Sequence, residues 1–172
     1  MSLEQIWAGW RSEYVSSAGA ADAEGSEVSG EGCVFCRLAA AGEPDQANGI
    51  LWRGEHSLAV LNLYPYTNGH VLLLPLRHAE RLGDLEAGES AELWTAVLAS
   101  VEAIECAYKP DGVNLGANLG RAAGAGIPAH VHLHALPRWS GDTNFMTTVA
   151  GARVMPEPLS ESWQRLHTVW PA

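Results

Sequence analysis

Residues 130–135 read His–Val–His–Leu–His–Ala. Side chains alternate across an extended strand, so the three imidazoles share one face and Val131, Leu133 and Ala135 share the other. The apolar face needs a core against it. The opposite face carries a row of groups that titrate near neutral pH. A lone histidine is readily a hydrogen-bonded structural residue. Three in period-two register over a strand at 130–136 are harder to explain as structure alone, and they point to chemistry on that face. A three-histidine metal site, as in catalytic zinc enzymes, is the competing functional reading.

The rest of the chain supplies a sheet for that strand. Ile50–Trp52 is a short apolar run, and Ser57–Leu63 reads as a strand. Tyr64–Pro65–Tyr66–Thr67–Asn68–Gly69 is turn chemistry, because Pro presets φ and Asn–Gly accepts φ > 0. His70–Leu76 follows as a second strand, so the pair predicts an antiparallel hairpin. Residues 89–108 predict a helix, with Leu93, Trp94, Val97, Leu98, Val101, Ile104 and Tyr108 at helical spacing. Lys109–Pro110–Asp111–Gly112 ends it. Val113–Asn118 predicts another strand and Ser160–Trp170 a last helix. The expected class is α+β, an antiparallel sheet of about five strands packed with a long helix and a C-terminal helix. Neither a Rossmann glycine fingerprint nor a Walker A motif is present.

Composition divides the chain. Residues 1–14 carry Trp7 and Trp10 three apart, the spacing of one helical face, and read as an anchoring segment. Residues 15–32 are Ala, Gly, Ser and Glu with few large apolar side chains, and read as a flexible acidic linker. Residues 33–172 form the folded domain. The net charge is −10, and half of it falls in the first 36 residues. That balance argues against nucleic acid or an anionic membrane as partner, since both reward clustered Lys and Arg. Met1–Trp10 lacks the pattern of a signal peptide, no run of apolar residues is long enough to span a bilayer, and the three cysteines make no disulfide framework. The reading is a cytoplasmic protein.

Two further features carry chemistry. Gly112, Gly116, Gly120, Gly124 and Gly126 precede the histidine row, with Asn114, Asn118 and Arg121 among them. Such a loop lets backbone N–H groups approach an anion, although the same spacing also serves plain turns. Arg121 is read as a polyphosphate contact or a solvated surface residue. Cys33–Val34–Phe35–Cys36 is a Cys-x-x-Cys, which is redox-active, metal-binding or coincidental; thioredoxin-like use would need a helix start and a βα context that the sequence does not signal. Cys106 reads as a small core residue of the long helix. His56 and His167 read as surface or locally bonded. Asp84, Glu86, Glu89 and Glu92 read as a solvated helix start.

His130–Val131–His132–Leu133–His134–Ala135–Leu136 resembles the His-φ-His-φ-His-φ-φ signature of the histidine triad (HIT) superfamily. Leu61–His70 resembles that family's strand–turn–strand passage, and Ala122–Pro128 its phosphate loop. Pro137–Met146 and Trp7–Arg11 resemble the bacterial branch of diadenosine-tetraphosphate phosphorylases and ATP adenylyltransferase-like proteins. The resemblance covers nearly the whole chain apart from the linker.

The resemblance implies that His132 is a nucleophile toward the α-phosphorus of a nucleotide, forming a nucleotidyl-histidine intermediate. It implies that the His130 carbonyl holds the other nitrogen of His132, and that His134 bonds phosphate oxygens. Gly124, Ala125 and Gly126 would offer backbone N–H groups. Asn62 matches the ribose-recognising position, and Asn118 would meet the phosphoryl or leaving group. His70, at the family's Gly–His step, reads as structural. Cys33, Cys36, His78 and His130 match a Zn²⁺ set, closed and therefore structural. A homodimer is implied, acting on an adenine nucleotide or dinucleoside polyphosphate by phosphorolysis or hydrolysis. The alternatives are a Hint-type nucleoside phosphoramidase or nucleotide hydrolase, and a nucleotide-binding module with little turnover.

Overall fold

The protein is described by a computed structural model over residues 32–142 and 157–171. The anchoring segment with Trp7 and Trp10, the linker up to residue 31 and the tail at 143–146 lie outside the described residues. Five strands form one antiparallel sheet: β1 (Ile50–Arg53), β2 (Ser57–Leu61), β3 (Val71–Pro75), β4 (Gly112–Gly116) and β5 (Leu133–Arg138). Their order across the sheet is β1-β2-β3-β5-β4. Three helices accompany it, α1 (Val34–Ala40), α2 (Ala87–Tyr108) and α3 (Leu159–Val169). The expected α+β architecture, hairpin, long helix and C-terminal helix are all present.

β2 and β3 are buried at every position, which is why they read as continuous apolar runs. The two sheet faces are both covered. Ala59, Leu61, Val71, Leu73 and Ala135 pack with Leu93, Val97 and Ile104 of α2 and Leu166 of α3. Leu58, Val60, Leu72 and Leu74 pack on the other face with Cys33 and Phe35, at the start of α1. Successive residues therefore serve opposite cores, as the pleat requires.

The turn between β2 and β3 needs its glycine. Gly69 has φ +72°, and a Cβ there would lie 2.5 Å from the Tyr108 ring. Its amide plane thus sits against α2 where no side chain fits.

Four expectations change. The histidine strand begins at Leu133 and runs to Arg138, so His130 and His132 precede it. β3 pairs with β5 from Val71↔Ala135 to Leu73↔Leu133 and no further, and β4 ends opposite His134 at Gly116. Residues 130–132 have no strand on either side; instead the Val131 N–H reaches the Ala79 carbonyl at 2.7 Å. On α2, Trp94 and Leu98 are each 56% exposed, because Ala96, Ser100 and Ala103 share the buried face with Leu93, Val97 and Ile104. Cys106 is exposed rather than a core residue, since it lies two positions past Ile104 and so across the helix from it.

Of the acidic helix start expected to be solvated, Asp84 and Glu86 are exposed, whereas Glu89 and Glu92 are built into the fold. Glu89 is buried and bonded to Arg77, with Arg77 Nε donating to Oε1 at 2.8 Å. It also accepts the Glu86 N–H at 2.8 Å, closing the first turn of α2. Arg77 and that N–H hold the Glu89 carboxyl down at about 2. Glu92 accepts the N–H groups of His56 and Ser57 at 2.9 and 2.8 Å. These carboxylates fasten α2 to the ends of β2 and β3.

Candidate active site

The short helix α1 was not signalled by the sequence. Seven residues carry too little periodicity to read, and neighbours hold the helix in place. Cys33 is its N-cap, so the Cys-x-x-Cys does sit at a helix start. At the other end, Arg53 donates to the Ala39 carbonyl at 2.6 Å. Between the cysteines, Phe35 turns inward. Its ring lies 5.5 Å from that of His130 and 4.9 Å from that of His132.

The three histidines of the row are all buried, and each has one nitrogen whose role its partner dictates. A carbonyl can only accept, so the nitrogen facing it carries the proton. His132 Nδ1 donates to its neighbour's carbonyl, His130 O, at 2.8 Å. In the neutral ring, Nε2 of His132 therefore keeps its lone pair. His130 Nε2 donates to Pro75 O at 2.9 Å, leaving Nδ1 of His130 as a lone-pair donor. That atom faces Cys33 Sγ at 3.4 Å and Cys36 Sγ at 3.6 Å.

His134 is set through His70, which the sequence reading treated as structural. The Tyr66 N–H can only donate, and it donates to His70 Nδ1 at 3.1 Å. Asn62 Nδ2 approaches the same atom at 3.2 Å. The His70 proton is thus on Nε2, which donates to His134 Nδ1 at 2.9 Å. It follows that the His134 proton sits on its own Nε2. That N–H is buried and meets no acceptor among the described residues. A buried donor left without a partner is costly, and it suits a site that receives an anion. Burial, helped by His132, lowers His134 to about 4, and burial also holds His130 and His132 below the ordinary imidazole range. All three rings are neutral at pH 7, so the tautomers just derived are the relevant ones.

A signal for His70 was available in the sequence. The register pairs Leu72 with His134, and His70 has the parity of Leu72 and Leu74, so it belongs on the histidine face. A test follows directly. His70→Ala removes the donor that fixes His134, and any activity of this site should fall about 10–100-fold, the usual scale for a partner that orients a functional group. His70→Gln places an amide N–H near the former Nε2 and should restore much of it. Equal losses in both variants, measured as kcat with the fold checked by circular dichroism, would overturn this positioning role.

The predicted metal set comes together. One ligand atom from each of Cys33, Cys36, His78 and His130 lies within 4.8 Å of the others. His78 Nδ1 is 3.2 Å from Cys36 Sγ. Tetrahedral Zn–S and Zn–N bonds of about 2.3 and 2.1 Å place donors roughly 3.5 Å apart, close to the 3.4, 3.2 and 3.6 Å of the Cys33–His130, Cys36–His78 and Cys36–His130 pairs. Burial, with Cys33 beside it, pushes the Cys36 thiol up to about 11. Two sulfurs so close disfavour each other's ionisation, and a cation between them would reverse that. The donor chemistry therefore fits a divalent soft-to-borderline metal.

An apolar cleft of about 460 Å³ is lined by Phe35, whose ring also meets that of His132. Val34, Phe35 and Leu38 of α1 line one side, with Val60, Leu61 and Leu72 from the sheet; Ile127, the turn residues Asn62–Tyr64, residues 46–49 and the start of α3 also border it. Of the predicted nucleotide contacts, Asn62 reaches the cleft. Asn118 instead folds over the glycine loop, its Nδ2 3.5 Å from Gly124 O. Within that loop the N–H groups of Gly124 and Ala125 bond to Arg121 O and Gly120 O at 2.9 and 3.3 Å. Those two amides close the turn rather than point outward. Gly126 is exposed, as is Arg121 on the 3-10 turn Arg121–Ala123.

Comparison with known proteins gives this geometry a context. The model of the HIT domain matches residues 43–141. The chain is 35% identical to a Mycobacterium tuberculosis protein named AP-4-A phosphorylase, over 98% of this chain and 85% of that protein. It is 38% identical to the asymmetrical bis(5'-nucleosyl)-tetraphosphatase of Schizosaccharomyces pombe, over 54% of this chain and 50% of that one. Among solved structures it resembles a Zn-bound histidine triad family protein from Mycobacterium smegmatis, with TM-score 0.66 and 28% identity over 83% of this chain and 95% of that chain.

Proposed function

Because the chain belongs to the HIT domain family, we propose that it is an enzyme that transfers the nucleotidyl group of a diadenosine polyphosphate through His132. The observation that carries the reading is the bond from His132 Nδ1 to His130 O. It leaves Nε2 as a nucleophile with its lone pair in place, which a site for binding alone would not require.

The reaction runs in two displacements. Nε2 of His132 attacks the α-phosphorus; a P–N bond forms as the bridging P–O bond breaks, and the leaving group departs with that electron pair. An acceptor oxygen then attacks the same phosphorus, and the P–N pair returns to Nε2. During the intermediate the His132 ring is cationic, and the carbonyl at Nδ1 stabilises it. The His134 Nε2–H donates to a phosphoryl oxygen, which supplies the acceptor it lacks among the described residues. The apolar cleft takes the nucleoside, with Asn62 near its ribose. Asn118, Gly124, Ala125 and Gly126 serve the phosphates, which requires the loop amides to open from their present bonds.

Cys33, Cys36, His78 and His130 would hold Zn²⁺. A closed set of four ligands leaves no open position, so the ion supplies a cross-link rather than Lewis-acid chemistry. Residues 33–172 act as the catalytic domain, with residues 1–14 as an anchor in a homodimer. The site is built for a small anion, in keeping with a cytoplasmic protein that takes neither nucleic acid nor membrane as partner. Among the described residues no helix is long and apolar enough to cross a membrane.

The acceptor is the next question. The relative named as a phosphorylase favours phosphate over water. Incubation with diadenosine tetraphosphate should give ADP and ATP, with ADP appearing only when inorganic phosphate is supplied. AMP released without phosphate would make water the acceptor. Turnover of a nucleoside phosphoramidate alone would support the Hint-type alternative, and no turnover of any of these would leave a binding module.

A further inference from the structure

The cleft next to Phe35 has a buried end and an exposed rim. Phe35, Val60 and Leu72 lie at the buried end. Leu63 and Tyr64 form the rim, 68% and 81% exposed, the highest values for large apolar side chains among the described residues. One exposed tyrosine on a loose loop would mean little. This turn is tied down at several points. The Tyr64 N–H donates to Asn62 Oδ1 at 3.0 Å, the Tyr66 N–H to His70 Nδ1 at 3.1 Å, and the Thr67 hydroxyl to Pro137 O at 3.2 Å. The fold thus holds two apolar side chains in water at a fixed place, an ordering that core packing does not reward.

A substrate with two nucleosides has a matching need. His132 lies against Phe35, so the nucleoside next to the attacked phosphorus belongs in the buried end. The second nucleoside lies at the far end of the phosphate chain, away from that end. It would remain in water unless the rim offered it a face. A tyrosine ring stacks on any base, and its two side-chain torsions make it inexpensive to order.

We propose that Tyr64, flanked by Leu63, is a stacking shelf for the second base of a dinucleoside polyphosphate. The shelf rests on the nucleotidyl-transfer reading above for the identity of its ligand. It makes the enzyme selective for dinucleotides over mononucleotides without any charged side chain.

Calorimetry on the full chain with two probes tests this. The probes are AMP and a methylene-bridged, non-cleavable diadenosine tetraphosphate. Tyr64 also borders the first nucleoside's cleft, so Tyr64→Ala should weaken the dinucleotide about tenfold more than it weakens AMP, the scale of one lost base–aromatic stack. Tyr64→Phe should bind both as the wild type does. Equal weakening of both probes would place Tyr64 in the first nucleoside's site and overturn the shelf, as would no weakening of either. A change in sedimentation with no change in binding would show that a second copy covers the rim, and would also overturn it. The same greater loss for the dinucleotide, in a protein that cleaves no dinucleotide, would keep the shelf and sink the catalytic reading instead.

Discussion

His132→Ala should abolish nucleotidyl transfer, with kcat falling by about four orders of magnitude or more, as when a covalent nucleophile is removed. The size of the effect follows from the neighbours, because no other imidazole can take over. His130 has one nitrogen donating to Pro75 O and the other facing two sulfurs. His134 accepts from His70 at Nδ1 and carries its proton at Nε2. His70 receives an N–H at Nδ1 and donates at Nε2. His132 is thus the member of the cluster with a lone pair that meets neither a protein donor nor the metal set. The wild type should form an acid-labile, alkali-stable adduct when quenched with substrate labelled at the α-phosphorus, and the variant should form none. Far-ultraviolet circular dichroism should be unchanged. Turnover within tenfold of wild type would eliminate His132 as nucleophile.

Much of this arrangement was legible in the sequence. The period-two row placed the imidazoles on one face and Ala135 in the core because a pleated strand leaves few alternatives. The hairpin was legible because Pro65 and Asn68–Gly69 have turn geometries of their own. Other parts depended on tertiary partners. α1 forms because Cys33 and Cys36 meet histidines 42 to 97 residues away, and no local pattern encodes such contacts. Glu89 looked solvated because its partner, Arg77, lies on the far side of a loop. The strand boundary moved because β3 and β4 end where they do, a property of the neighbours and not of residues 130–132. Trp94 and Leu98 fit the helical period yet stay outside, since periodicity gives a stripe but not its buried width.

The second large effect concerns the metal set. Purified protein should carry one zinc ion per chain by mass spectrometry under native conditions, and stripping it with a strong chelator should lower Tm by roughly 10 °C or more, as expected where metal-binding energy is folding energy. The loss should not stop at stability. A metal held by these four residues would fix α1 to the segments after β3 and before β5, and α1 presents Val34, Phe35 and Leu38 to the cleft. The His130 backbone carbonyl also orients His132, so releasing the His130 ring loosens the nucleophile's support. Metal-free protein, held below its lowered Tm, should therefore bind AMP at least about tenfold more weakly, a difference of about 1.4 kcal/mol. Cys36→Ser should reproduce both changes, and zinc added back should repair the stripped wild type but not the variant. A stripped protein with unchanged Tm would remove the structural metal. One with lowered Tm but undiminished AMP affinity would show that α1 keeps its place without the ion, held by Arg53 and the apolar contacts of Phe35 alone.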